Sequence, residues 1–164
     1  MSAAIIITAF TALSVLAEPS DKTSEHALPA ITDLSSMTVY KTPTCGCCGK
    51  WVDHVNENGF KSKVVELNEL SSIKKQYSIQ GRYQSCHTGV VSHANGDYIF
   101  EGHIPSEYIH SFLANPPKNA IGLSVPGMPL GSPGMEVGDR KDYYQVLQLN
   151  TDGSSVVYAH VNKK

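Results

Sequence analysis

Tyr40-Lys41-Thr42-Pro43-Thr44-Cys45-Gly46-Cys47-Cys48-Gly49-Lys50-Trp51 joins a β-prone run to a helical one and places three of the chain's four cysteines at the junction. Upstream, Met37-Thr38-Val39-Tyr40-Lys41 reads as a short strand ended by Thr42-Pro43. Downstream, Cys48, Trp51, Val52 and Val55 recur at the i, i+3, i+4, i+7 spacing of a helix face, while Lys50, Asp53, His54 and Glu57 take the other face. Asn58-Gly59 stops that helix, as glycine does just past a helix end. The cysteines therefore sit where a strand hands over to a helix N-terminus.

Working outward, Phe60–Leu67 gives a second strand around Val64-Val65, and Asn68 is expected to cap a short helix with Leu70, Ile73 and Tyr77 on one face. His87–His93 and Asp97–Glu101 flank Asn95-Gly96, a strong hairpin signal. Pro105 suits the first turn of a helix with Tyr108, Ile109, Phe112 and Leu113 inward, ended by Asn115-Pro116-Pro117. The order β-α-β-α-β-β-α with cysteines at the first strand–helix junction is that of a thioredoxin-like α/β domain. That topology brings Cys86-His87-Thr88 against Cys45–Cys48, where thioredoxins carry a cis-proline and this chain has none. Gly122–Gly138 holds five Gly and three Pro, so residues 118–142 are expected to form a long Gly/Pro/Met-rich loop, in which Pro126-Gly127-Met128 recurs as Pro133-Gly134-Met135. A C-terminal hairpin over 143–161, Tyr143–Leu149 and Ser155–Val161, completes a single domain spanning 37–164.

Thirteen Lys and Arg stand against 15 Asp and Glu, a net charge of −2, and this near-balance argues against a nucleic-acid binder. Ser2–Ala17 is uncharged and mostly apolar, ending in a small-residue site before Glu18-Pro19-Ser20-Asp21-Lys22. Residues 1–17 thus read as a signal peptide and 18–36 as a polar leader. The alternatives are an N-terminal membrane anchor, for which the stretch falls short of the ~20 residues of a span, and a buried helix. No stable span is expected after processing.

The chemistry concentrates in sulfur. A helix N-terminus favours thiolate, lowering the pKa below the free-cysteine value of ~8.5. In Cys45-Gly46-Cys47-Cys48, Cys45 reads as the exposed thiol and Cys48 as the buried one. A plain disulfide oxidoreductase needs two sulfurs, Cys45 to attack and Cys48 to resolve; Cys47 and Cys86 are surplus to it. All-sulfur sites favour soft ions. Zinc prefers well-separated chelating pairs, whereas three crowded ligands and one distant partner suit bridging, so a polynuclear Cu(I)–thiolate cluster is the natural occupant. Of the seven histidines, His87 beside Cys86 and His103 in Glu101-Gly102-His103 lie near the site as ligands or as hydrogen-bonding neighbours of ligands. His26, His54, His93, His110 and His160 read as solvated or outside it. Met128 and Met135 offer thioethers, with anchoring of the loop as the plain alternative. A structural zinc module leaves the Met loop without a role, and a purely structural use of the cysteines as disulfides leaves their crowding without one.

Four ordered blocks, Tyr40-Lys41-x-Pro43-x-Cys45-Gly46-Cys47-Cys48-x-x-Trp51, Ser85-Cys86-His87-Thr88, Glu101-Gly102-His103-Ile104-Pro105 and Gly122-Leu123-x-Val125-Pro126-Gly127-Met128-Pro129-x-Gly131-Ser132-Pro133-Gly134-Met135-Glu136, resemble the CopG-like copper-resistance proteins. The resemblance implies a thioredoxin-like fold, a periplasmic setting, copper bound through Cys45, Cys47, Cys48 and Cys86, and a role in copper detoxification or copper redox chemistry. The sequence-level expectation is an exported Cu(I)-binding protein with His87, His103, Met128 and Met135 as secondary ligand candidates. Its partners would be copper ions and other copper-handling proteins. The rival is a thiol–disulfide oxidoreductase acting on exported proteins through Cys45 and Cys48, and a copper/thiol oxidoreductase would combine the two.

Overall fold

A computed structural model describes residues 36–93 and 96–163 of the 164-residue chain. The expected signal peptide, nearly all of the leader and Asn95 of the hairpin turn lie outside the described residues. The elements run β1 (Ser36–Lys41), α1 (Gly46–Glu57), β2 (Lys61–Glu66), α2 (Ser71–Gln76), a 3-10 turn at Gly81–Tyr83, β3 (His87–His93), β4 (Gly96–Glu101), α3 (Ser106–Ala114), β5 (Ala120–Ser124), β6 (Tyr144–Asn150) and β7 (Ser155–Val161). Ser36, expected at the end of the leader, opens β1. No helix among the described residues is long and apolar enough to cross a membrane.

The seven strands among the described residues form one sheet, ordered β2-β1-β3-β4-β5-β6-β7. β1 pairs parallel with β2 and antiparallel with β3, and the register sets Lys41 opposite His87. The strand ends that carry the cysteine loop and the Cys86-His87 segment are thereby made neighbours. At its centre both faces of the sheet are covered, which is why β3 is buried from His87 through Val91 rather than at alternate positions. On one face Val39, Val91, Phe100, Leu123 and Val146 meet Trp51, Val52 and Val55 of α1 and Ile109, Phe112 and Leu113 of α3. On the other, Val90, Ile99 and Leu149 meet Ile79 and Tyr83. Burying each large side chain contributes roughly 1.5–3 kcal/mol before entropy is counted.

Two expectations need correction. Residues 120–124, read as part of the long loop, form β5, parallel to β4 with Ile99 opposite Gly122. Gly122 has φ +149°, and a Cβ there would lie within van der Waals overlap of the Ile99 carbonyl. Glycine is here the condition of strand pairing, at an irregularity in register between Ala120 and Gly122. In α2 the N-cap falls on Leu70 rather than Asn68, and the residue the helix itself buries is Lys74, with Ile73 and Tyr77 only half-buried.

Candidate metal centre

The site is built at the N-terminus of α1. Cys45 occupies the N-cap, its backbone N–H donating to the Thr42 carbonyl at 3.1 Å, and Cys47 and Cys48 follow in the first turn. Cys48 is fully buried because it belongs to the apolar face with Trp51, Val52 and Val55. Trp51 ties this helix to the opposite wall by donating Nε1–H to the Ile104 carbonyl at 2.9 Å. From that wall come His87 at the start of β3 and His103 just after β4, both fully buried.

Cys45 and Cys48 are joined in a disulfide, and Cys47 and Cys86 are free thiols. Cys45, read as the exposed thiol, is in this state half-buried and disulfide-bonded, and the free thiols Cys47 and Cys86 are half-buried as well. The Cys47 sulfur lies 3.5 Å from that of Cys45, and the Cys48 sulfur 3.7 Å from the Cys86 carbonyl oxygen. The four sulfurs lie within 4.8 Å of one another, and so do the donor atoms of Cys86, His87 and His103. Six of the eight sequence-predicted ligands are thus gathered, with Cys86 common to both groups.

The histidines are oriented from behind. The Pro133 carbonyl can only accept, so His103 donates Nδ1–H to it at 2.8 Å, leaving Nε2 as a bare lone pair 3.1 Å from the Cys86 sulfur. Such a backbone hydrogen bond is the usual means of aiming a metal-binding imidazole. His87 packs against Trp51 with ring centres 4.3 Å apart and planes tilted by 41°, and edge-on to His103 at 4.9 Å, with Nδ1 at 3.5 Å from the Cys86 sulfur. Its Nε2 is the one buried side-chain nitrogen or oxygen without a hydrogen-bond partner among the described residues. Burial pushes the Cys86 thiol up to about 11, reinforced by Cys47 beside it, and holds His103 below its ordinary value.

Burial, with the neighbouring His103 and Lys74, keeps His87 neutral well below its ordinary value of 6.5. The sign of the consequence is fixed: below pH 6.5 the unfolded chain takes up this proton first. Metal-free protein should lose stability as the pH falls through 6.5 toward the depressed native value, and His87→Leu should flatten that profile. Denaturant midpoints from about pH 8 to about pH 5 check this.

The methionines are placed differently. Met128 is 52% exposed and Met135 half-buried. The loop carrying them nonetheless forms the site's outer wall. Gly134, at φ +84°, approaches α1 so closely that a Cβ would lie 2.6 Å from the Cys47 carbonyl oxygen. Ser85 Oγ donates to the Gly127 carbonyl at 2.5 Å. The repeated Pro-Gly-Met units therefore supply close backbone approach and the carbonyl that sets His103. His54, read as solvated, is half-buried and accepts the Ser106 backbone N–H on Nε2 at 3.1 Å, serving the start of α3. His26 lies outside the described residues.

Beneath Cys86-His87 lies a group the sequence gives little sign of. Glu101, fully buried, pairs with Lys74, itself 6% exposed. The same carboxylate accepts the Ser85 backbone N–H and the Thr88 hydroxyl, each at 2.6 Å. Lys74 Nζ also donates to Thr88 Oγ1 at 3.3 Å.

Two free thiols, a disulfide that reduction opens to two more, and two neutral imidazoles, walled on one side by loop backbone, are a donor set that fits a soft metal ion. A family model described as "Protein of unknown function, DUF411" matches residues 83–135. No curated protein matches the chain. Two solved structures, "Copper resistance protein copG- Form 1" and "Form 2", are each 37% identical to it, with TM-scores of 0.71 and 0.70. The alignments cover 78% and 77% of this chain and 98% and 97% of those chains. With identity at that level over nearly the whole length of those proteins, the chain belongs to the CopG family of copper-resistance proteins.

Proposed function

We propose that this protein is an exported, periplasmic copper binder that holds Cu(I) in a polynuclear thiolate cluster built on Cys45, Cys47, Cys48 and Cys86, with His87 and His103 completing the coordination. We read β1 through α3 as a thioredoxin-like unit that presents the cluster at the N-terminus of α1. The observation that carries the reading is the convergence of four sulfurs within 4.8 Å, with two buried imidazoles grouped around one of them. Copper is the cargo. Bridging sulfurs share ions, so a reduced site of this kind takes up more than one. The disulfide state adds a redox possibility that balances: two Cu(I) become two Cu(II), and their two electrons with two protons convert the Cys45–Cys48 disulfide to two thiols.

Anaerobic titration of fully reduced protein with Cu(I) against a competing chelator is expected to give more than one ion per chain. Saturation at or below one equivalent would falsify the cluster. Cys86→Ser is expected to lower copper capacity as strongly as Cys45→Ser, although the two cysteines come from opposite walls; full capacity in Cys86→Ser counts against the shared site. A second reading, protein thiol–disulfide exchange, is favoured by one observation, the disulfide between Cys45 and Cys48 in the first turn of α1. It leaves Cys47, Cys86 and the orphaned His87 Nε2 without a task.

A further inference from the structure

We propose that Lys74 and Glu101 are positioning residues of the copper site, a buried clasp that fixes where Cys86 and His87 present their donor atoms. The proposal rests on the copper reading above and assigns work to residues that touch no metal. Cys86 and His87 are flanked in sequence by Ser85 and Thr88, and Glu101 holds both flanks, one oxygen on the Ser85 N–H and the other on the Thr88 hydroxyl. Two anchor points one residue either side of a dipeptide fix its backbone far better than one. Lys74 arrives from α2 to neutralise the carboxylate and reaches Thr88 as well. Three elements and the segment entering β3 are therefore tied at one point directly under the ligands.

A pair serving stability alone has little reason to be ionic. Replacing a buried ion pair by apolar residues of similar volume is often neutral or stabilising, whereas removing one partner is costly. The retained charge has a use here because a carboxylate offers two oxygens in fixed geometry, one for each flank. A buried carboxylate is tolerable in turn only with a cation at hand. Outer hydrogen-bond partners of metal ligands characteristically affect metal affinity by 10–100-fold.

The test separates stability from positioning. Lys74→Met/Glu101→Leu removes both charges and the clasp, while Lys74→Met/Glu101→Gln removes the charges but keeps an amide oxygen for Ser85 or Thr88. In the leucine pair, Cu(I) affinity by chelator competition is expected to fall by about 10- to 100-fold, and the glutamine pair, with one acceptor oxygen for the two flanks, to recover part of that loss. In metal-free protein with the disulfide closed, alkylation of Cys86 by iodoacetamide, read by mass spectrometry against Cys47 of the same molecule, is expected to rise several-fold in the leucine pair only. A folded leucine pair with wild-type Cys86 alkylation overturns the clasp. Altered alkylation with wild-type Cu(I) affinity overturns its role in copper holding. If the wild type itself takes up no Cu(I), the copper reading fails while the alkylation result still judges the clasp. Should the double variants not fold, Thr88→Val removes one anchor point with little change in shape and should weaken Cu(I) binding, with Thr88→Ser restoring it; equal affinity in all three overturns the proposal.

Discussion

Gly122→Ala is expected to destabilise the fold by about 4 kcal/mol or more, enough to leave much of a marginally stable domain unfolded. Two costs add. The residue holds φ +149°, a conformation side-chain-bearing residues rarely adopt, and its Cβ would be driven into the Ile99 carbonyl. Backbone cannot swing aside as a flexible side chain can, because Ile99 and Gly122 are register partners of β4 and β5. Relief would require the strands to part. The damage would then run toward the metal centre, since Val125, which donates its N–H to the Glu101 carbonyl at 2.9 Å, leads from β5 into the loop whose Pro133 carbonyl sets His103. Urea denaturation checks the expectation, with Gly127→Ala as the control, because that glycine has φ +71° but nothing within 4 Å of its Cβ position. The control should carry only the conformational cost, on the order of 1 kcal/mol. A Gly122→Ala protein no less stable than the control would show that β4 and β5 separate easily.

This glycine also shows where sequence reading works and where it stops. The face of α1 was legible because four apolar positions at helical spacing have a single physical explanation, and Cys48, Trp51, Val52 and Val55 are all buried as that spacing requires. The meeting of Cys86 with the first three cysteines was legible from element order, since strand pairing follows from few topologies. Gly122 points the other way: glycine and proline density normally signals loop, and only the approach of the Ile99 backbone turns it into a strand requirement. Lys74 was hidden for a similar reason. In a helix of six residues a lysine reads as solvated, and nothing local announces that Glu101, at the end of β4, is there to receive it. Glu101 did stand inside a recognisable block, beside His103. The orientation of that histidine was beyond reach, because it is set by the carbonyl of Pro133, a backbone atom that every residue possesses. Residue types thus announced the candidate ligands, while the groups that orient them are backbone atoms or charges whose partners only the tertiary structure reveals.

Cys47→Ser is expected to reduce Cu(I) affinity by about 100-fold or more while changing stability by less than about 1 kcal/mol. The substitution is close to isosteric, and Cys47 is a half-buried free thiol in the first turn of α1, outside the buried face of the helix. The chemistry changes far more than the shape, since a protonated hydroxyl is a hard, weak donor to a soft ion. Every ion bridged by that sulfur would lose a bond. In the exchange mechanism the same residue is a bystander, because attack and resolution are complete with Cys45 and Cys48, which the structure already shows disulfide-bonded to each other. The two readings therefore disagree on one atom. Reduced wild type and Cys47→Ser should be compared by chelator competition for Cu(I) and, in parallel, by reduction of a model protein disulfide. Loss of copper affinity with exchange activity unaltered supports the cluster. Full copper affinity in Cys47→Ser, or vigorous disulfide reduction by a wild type indifferent to copper, would decide for thiol exchange, and Cys47 would then be explained by its place on the helix alone.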